Sequence, residues 1–363
     1  MIIVLLMESE ILKMKLMKSL NLKDKFLKLP IIQGGMGVGI SMGSLAGAVA
    51  REGGMGVIST AVIGFREEDA WTHPVEAGIR ALKKEIRKAR EISEGKGAIA
   101  INAMVVTTEY KELVNAAIEA GVDAVISGAG LPLELPEIAG DRDVMLAPVV
   151  SSGRAARLIG RAWKRHGRKP DFIVVEGSDA GGHLGFSKDD LLAHETQSLE
   201  DIVKDVAALD PEIPVFAAGS VFDARDIQRM TDAGATGVQI ATRFIATEEC
   251  DASPEFKKVI LNAQEKDLRI IQSPVGLPGR AVDSPLLQRV DREGRIAPKR
   301  CRNCIQSCDP SSTKYCISQA LIQAFHGNWE EGLFFSGANV GRIHGMTTVK
   351  ELMDELKQGF RPE

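Results

Sequence analysis

Eight short apolar runs recur along this chain, and amphipathic stretches of helical period separate most of them. The runs are Pro30–Gln33, Gly56–Ser59, Ala98–Asn102, Ala124–Ser127, Val144–Val149, Phe172–Glu176, Pro214–Ala218 and Gly237–Ile240. The helical stretches are Ala77–Ile92, Tyr110–Ala120, Arg154–Arg165, Leu199–Leu209 and Ala224–Ala233. Strands that alternate with helices in this way are typical of parallel βα units. Eight units over about 220 residues fit a (β/α)8 barrel, whose usual length is about 250 residues.

The main alternative is a doubly wound open sheet that binds a dinucleotide. Its glycine fingerprint is incomplete here, because the stretch Gly37–Met42 has the first two glycines but ends in methionine. The sequence therefore predicts an α/β fold, a (β/α)8 TIM barrel with a C-terminal extension. We expect a lead-in over residues 1–28, the barrel over 29–250 and the extension over 251–363.

The charge and the aromatic content of the chain argue against two classes of binding partner. The formal charge is −4 and aromatic residues make up 5% of the chain, so neither nucleic acid nor a membrane surface is an expected partner. The apolar N-terminal run Met1–Met7 is followed by Glu8 and Glu10, which fits neither a signal peptide nor a membrane span. We expect a cytoplasmic protein. The start codon, with Met14 and Met17 as alternatives, and the oligomeric state stay open.

The ends of the predicted strands are rich in glycine and polar residues, and in a barrel the reactive groups gather at the C-terminal ends of the strands. These candidate binding residues are Gln33, Gly34, Gly35, Met36, Asn102, Ala218, Gly219, Ser220, Gln239, Ile240, Ala241 and Thr242. Small residues after the last two strands, followed by helix starts, predict a phosphate cradle made by backbone N–H groups.

The sixth strand ends in the most distinctive stretch, which contains Glu176, Gly181, Gly182 and His183. Paired glycines let the backbone approach a flat ligand closely. Histidine is the side chain best suited to moving a proton near neutral pH. We therefore expect this loop to carry the chemistry, with His183 as the catalytic residue.

Taken together, these motifs resemble the nitronate monooxygenase family, formerly called 2-nitropropane dioxygenases, and its close relative, the FabK-type enoyl-acyl-carrier-protein reductase. The resemblance runs from about Leu29 to Thr247 and includes the stretches Pro30–Met36, Gly53–Gly56, Ile101–Asn102, Ala180–His183, Ala217–Ser220 and Gln239–Phe244. It implies an FMN-binding barrel in which Asn102, Glu176, Gly181, Gly219 and Gln239–Thr242 surround FMN and His183 is the active-site histidine.

The chain departs from the family pattern at two positions. Ser220 and Ala241 stand where the family usually has glycine. Serine still offers its N–H group, and alanine tolerates the same backbone unless φ is positive. A glycine-rich run in the extension, Phe335–Gly341, is long enough to fold back over the flavin.

Four of the five cysteines fall in one segment, at Cys301, Cys304, Cys308 and Cys316, with the spacing C-x2-C-x3-C-x7-C. Converging thiolates would suit an iron–sulfur cluster or zinc. The spacing resembles the iron–sulfur motif of flavin-dependent barrel enzymes of the dienoyl-CoA reductase type. A loop of ordinary thiols without a metal is the alternative.

Three functions follow from these residues. The first is oxidation of alkyl nitronates with O2 by an FMN-dependent oxidoreductase, a monooxygenase or dioxygenase of the nitronate monooxygenase type. The second is reduction of an enoyl thioester with NAD(P)H. The third is a module that passes electrons between FMN and a cluster on the cysteine segment. The motifs alone do not choose among them.

Overall fold

The computed structural model describes residues 20–22 and 25–360. Residues 1–19 of the predicted lead-in, which include Met14 and Met17, lie outside the described residues. The strands are β1 (Leu20–Leu22), β2 (Lys25–Leu27), β3 (Ile31–Gln33), β4 (Met55–Ser59), β5 (Ala98–Met104), β6 (Ala124–Gly128), β7 (Met145–Val150), β8 (Ile173–Glu176), β9 (Gly182–His183), β10 (Val215–Ala218), β11 (Gly237–Ile240), β12 (Leu268–Gln272) and β13 (Pro278–Val282).

Eight of these strands close into a parallel barrel, in the order β3, β4, β5, β6, β7, β8, β10, β11 and back to β3. All eight predicted strands are in the barrel, so the predicted fold class is confirmed. Successive residues of a strand face opposite sides, and the core divides accordingly. Ile32 packs inside the barrel, whereas its neighbour Ile31 packs outward against the helices.

The helices are α1 (Gly43–Arg51), α2 (Pro74–Ser93), α3 (Tyr110–Glu119), α4 (Leu135–Ala139), α5 (Gly153–Lys164), α6 (Lys188–Ala193), α7 (Leu199–Ala207), α8 (Ala224–Asp232), α9 (Thr242–Ile245), α10 (Pro254–Asn262), α11 (Pro285–Glu293), α12 (Ile317–Phe325) and α13 (Val349–Leu356). Side-chain caps fix several starts: Ser152 accepts a hydrogen bond from the Ala155 N–H, and Asp223 and Asp226 form a capping box at α8. No helix in the described part of the chain is both long and apolar enough to cross a membrane.

The N-terminal hairpin β1–β2 packs against one end of the barrel interior. Leu22 and Leu27 are buried in the same cluster as the inward-facing Ile32, Met55 and Phe216. The hairpin therefore covers apolar surface at this end of the barrel.

The C-terminal extension is joined to a loop of the barrel by strand pairing. Strands β12 and β13 pair antiparallel, and β13 pairs with β9, which belongs to the loop after β8. In this register His183 lies opposite Gly279. The backbone of the predicted catalytic loop is thus held by a strand that lies about a hundred residues further along the chain.

Candidate active site

Most of the predicted site residues come together around one cavity of about 200 Å³ at the C-terminal ends of the barrel strands. It is lined by Gly34, Gly35, Met36, Asn102, Glu176, Gly181, Gly182, His183, Gln239, Ala241 and Thr242. A smaller cavity of about 70 Å³ adjoins it and shares five of these residues. Ala218, Gly219, Ser220 and Ile240 line the smaller cavity. The two cavities therefore form one continuous candidate binding region at this end of the barrel.

Gln33 is the one predicted binding residue that lies elsewhere. Its side chain is fully buried, donates to the Gly34 carbonyl oxygen and accepts a hydrogen bond from the Val57 N–H at 3.0 Å. The side chain therefore ties β3 to β4 beneath the cavity. Glutamine at a strand end looks the same in sequence whether it faces a ligand or the neighbouring strand.

The smaller cavity is bordered by a turn of unusual backbone conformation. Gly219 and Ser220 both have left-handed backbone, with φ of +77° and +69°. Both residues line the cavity, at the strand end where the sequence predicts a phosphate cradle. Ala241 has φ −118°, which is not positive, so alanine is tolerated at this position. Ser220 does have a positive φ, and a residue with a side chain in left-handed backbone costs about 1–2 kcal/mol.

An acidic side chain lies beside this turn. The Ser220 hydroxyl donates to Asp179 Oδ2 at 2.7 Å. Arg280 lies 3.7 Å from the other Asp179 oxygen and donates to the Ser178 carbonyl oxygen at 3.0 Å. Arg280 offsets the charge of Asp179 and fixes the loop between β8 and β9.

Gln239 supplies a polar atom without a protein partner. Its Oε1 is buried and accepts no hydrogen bond within the described residues, although the side chain lines both cavities. A buried acceptor left unpaired costs about 1–3 kcal/mol. A ligand with an N–H or O–H donor would remove that cost, so this residue fits a polar ring such as that of FMN.

His183 is held by the C-terminal extension. Its Nε2 lies 2.8 Å from Ser273 Oγ, and its ring meets Phe335 edge-on with a centroid distance of 5.1 Å. The Ser273 hydroxyl also accepts a hydrogen bond from the Val275 N–H at 3.4 Å. The hydroxyl has one hydrogen and two lone pairs, so it donates to Nε2 or accepts from Nε2–H according to the histidine tautomer.

The two titratable residues of the larger cavity are shifted in opposite directions. Burial lowers the pKa of His183 to about 4 and raises the pKa of Glu176 to about 8. Among the described residues, no lysine or arginine lines this cavity. At neutral pH the imidazole is therefore neutral and most of the Glu176 carboxyl is protonated.

The C-terminal extension supplies walls of both cavities. Phe335 and Ser336 line the larger cavity, while Gly337, Ala338 and Asn339 line the smaller one, so the run Phe335–Gly341 folds over the site. Leu321 and Leu333, which the sequence did not predict, also line the larger cavity. A Cβ atom on Gly181 would lie 2.4 Å from the Ser336 carbonyl carbon, so glycine is needed for this close approach.

The cysteine segment lies at the same end of the barrel. All four of its thiols are free, and Cys301 is exposed while the other three are half-buried. Burial raises the pKa of Cys316, and the neighbouring Cys301 and Cys308 thiols raise it further. In the part of the chain that the structure describes, no three Cys, His, Asp or Glu side chains are arranged so that they could hold a metal ion. The predicted metal site stays a prediction.

Comparison with known proteins agrees with the fold and shows the family. The family model for nitronate monooxygenase matches residues 19–359. A probable nitronate monooxygenase of Staphylococcus saprophyticus is 28% identical over 73% of this chain and 78% of its own. One from Bacillus subtilis is 24% identical over 93% of this chain and 97% of its own.

Two solved structures have the same architecture. FabK from Thermotoga maritima is 26% identical, with a TM-score of 0.72 over 95% of this chain and 94% of its own. Nitroalkane oxidase from Streptomyces ansochromogenes is 18% identical, with a TM-score of 0.71 over 92% of this chain and 95% of its own. The second likeness concerns the fold alone.

Proposed function

Because this chain belongs to the nitronate monooxygenase family, we propose that it is an FMN-dependent enzyme that oxidises alkyl nitronates with O2. Membership of the family makes it a flavin-dependent oxidoreductase. The finer assignment rests on one observation: the neutral His183 is held by Ser273 at a cavity formed by the barrel strand ends.

The residues that line the two cavities support FMN as the cofactor. In this proposal Gly34, Gly35, Met36, Asn102, Glu176, Gly181, Gly182 and Gln239 contact the ring system, whereas Ala218, Gly219, Ser220, Ile240, Ala241 and Thr242 hold the phosphate end. Bound FMN supplies the two-electron redox chemistry, and the protein supplies position and proton handling. We propose FMN rather than FAD because the described residues offer a single candidate phosphate cavity, at the ends of β10 and β11.

His183 handles the proton. A neutral imidazole has one N–H donor and one lone pair. Because Ser273 engages Nε2, Nδ1 is the nitrogen left for substrate: it donates to a nitronate oxygen in one tautomer and takes the proton of a neutral nitroalkane in the other. Ser273 holds the ring in one orientation, and Phe335 packs edge-on against it.

A second candidate is reduction of an enoyl thioester with NAD(P)H. The observation that favours it is the cavity wall: Met36, Met104, Leu321, Leu333 and Phe335 are apolar, and no lysine or arginine of the described residues lines the cavity to balance an anion. This wall suits an acyl chain. The 26% identity to FabK points the same way.

One paired assay tests both candidates on the flavin-loaded enzyme. The first arm measures O2 uptake with an alkyl nitronate, and the second measures NADH or NADPH oxidation with an enoyl thioester. We expect turnover in the first arm, and His183→Ala should lower it by about a hundred- to ten-thousand-fold while flavin content stays unchanged. His344→Ala, which removes an exposed histidine, is the matched control.

Turnover confined to the second arm would replace the nitronate assignment with the enoyl one. A protein that stays colourless after FMN is added would overturn the cofactor assignment itself. The cytoplasmic location stays a prediction, which cell fractionation would test.

A further inference from the structure

The cysteine segment, residues 301–316, is fixed to the loop that follows β5. Ile305 bridges to Thr107, and the Thr108 N–H donates to the Cys304 carbonyl oxygen at 3.2 Å. Arg302 donates to Glu109 at 3.1 Å, and the side chains of this ion pair are only 2% and 7% exposed. Removing one partner of such a buried ion pair is strongly destabilising, so the segment is held at a defined position on the barrel.

In this position the cysteine segment adjoins the proposed flavin site. A small cavity of about 30 Å³ is lined by both Cys304 and His183. Leu321 of α12 lines this cavity as well as the larger one. The cysteine segment and the catalytic loop therefore share a wall.

The thiols face hydrogen-bond donors. Cys304 Sγ lies 2.8 Å from Ser318 Oγ, and Cys301 Sγ accepts a hydrogen bond from the Asn303 N–H at 3.3 Å. Cys316 is the residue immediately before α12, where the first N–H groups of the helix are unpaired. Donors of this kind stabilise thiolate sulfur and tune a cluster bound to it.

We propose that Cys301, Cys304, Cys308 and Cys316 bind a [4Fe–4S] cluster beside the flavin site. Three cysteines lie within eight residues and the fourth follows at a distance, a three-plus-one set of the kind that holds iron–sulfur clusters. Structural zinc sites instead tend to use two short cysteine or histidine pairs. The described residues do not gather three of these side chains around one ion, and a [4Fe–4S] cluster does not require this, because each of its four cysteines binds a separate iron.

The test uses the full-length, flavin-loaded protein, purified without oxygen and reconstituted with ferrous iron and sulfide. Iron, acid-labile sulfide, zinc and flavin are measured per chain, together with the EPR spectrum after reduction with dithionite. We expect about four iron and four sulfide per chain, with a cluster signal separate from the flavin. Cys304→Ser and Cys308→Ser should lower bound iron at least tenfold and leave flavin content unchanged.

Two further variants keep the result interpretable. Cys301→Ser changes an exposed side chain, so loss of iron there reflects lost coordination rather than a damaged core. Cys250→Ser removes the cysteine outside the segment and should keep the cluster. Wild-type protein that binds no iron and sulfide, or binds zinc instead, would overturn the proposal. Iron retained in Cys301→Ser, Cys304→Ser and Cys308→Ser together would overturn it as well.

Discussion

His183 and Ser273 are 90 positions apart in sequence, yet Nε2 of the histidine lies 2.8 Å from the serine hydroxyl oxygen. The contact joins the loop after β8 to the C-terminal extension. Ser273 is 3% exposed, so solvent has little access to this side of the ring. The extension therefore orients His183, the proposed catalytic residue, as well as covering the site.

Ser273→Ala should lower kcat about tenfold while leaving flavin content unchanged. Loss of one hydrogen bond of this kind is worth about 1–1.5 kcal/mol, which corresponds to that factor. A change in the pH profile of kcat should accompany the loss, because the hydrogen bond to Ser273 affects the protonation of His183. Ser312→Ala, an exposed serine in the cysteine segment, is the control. Unchanged turnover and pH profile in Ser273→Ala would mean that the contact plays no part in catalysis.

Glu176 and His183 should shape the pH dependence of stability of the flavin-free protein. Glu176 holds its proton up to about pH 8 when folded but only to about pH 4.5 when unfolded, so it makes stability fall as pH rises between these values. His183 has a pKa of about 4 when folded and 6.5 when unfolded, so it makes stability rise between pH 4 and 6.5. The opposing effects overlap below pH 6.5, which leaves a decline between pH 6.5 and 8.

Glu176→Gln should abolish that decline, whose slope is at most about 1.4 kcal/mol per pH unit for one proton. Urea unfolding midpoints at several pH values measure it. Glu137→Gln, which changes an exposed carboxyl group on α4, should leave the wild-type decline in place. The same decline in Glu176→Gln would show that other groups cause it.

Ser220 stores backbone strain at the proposed phosphate site. Ser220→Gly should stabilise the flavin-free protein by up to about 1 kcal/mol, since glycine adopts a φ of +69° without penalty, and it should retain FMN. Ser220→Asp should weaken FMN binding at least tenfold, because it adds a carboxylate next to the phosphate and to Asp179. Flavin fluorescence titration measures both affinities. Equal affinity in Ser220→Asp and the wild type would place the phosphate elsewhere.

The barrel and the strand-end residues could be predicted from the sequence because both follow from local patterns. Apolar runs and amphipathic stretches reveal the strands and helices, and parallel packing brings the strand ends together. The contacts of Ser273 and Phe335 with His183 could not be predicted in this way, since they depend on the pairing of β13 with β9. The direction of the Gln33 side chain could not be predicted either, because it depends on the geometry of β3 and β4.

Gln239 offers a test that separates cofactor binding from folding. Gln239→Leu removes the buried oxygen that has no protein partner, so the flavin-free protein should be as stable as the wild type or slightly more stable. FMN affinity should fall about tenfold, because the variant cannot accept a hydrogen bond from the ring. Thermal unfolding with and without FMN gives both quantities, and Gln228→Leu on α8 is the control at a glutamine away from the cavities. A variant that loses stability without FMN but keeps its FMN affinity would assign Gln239 to the fold rather than to the cofactor.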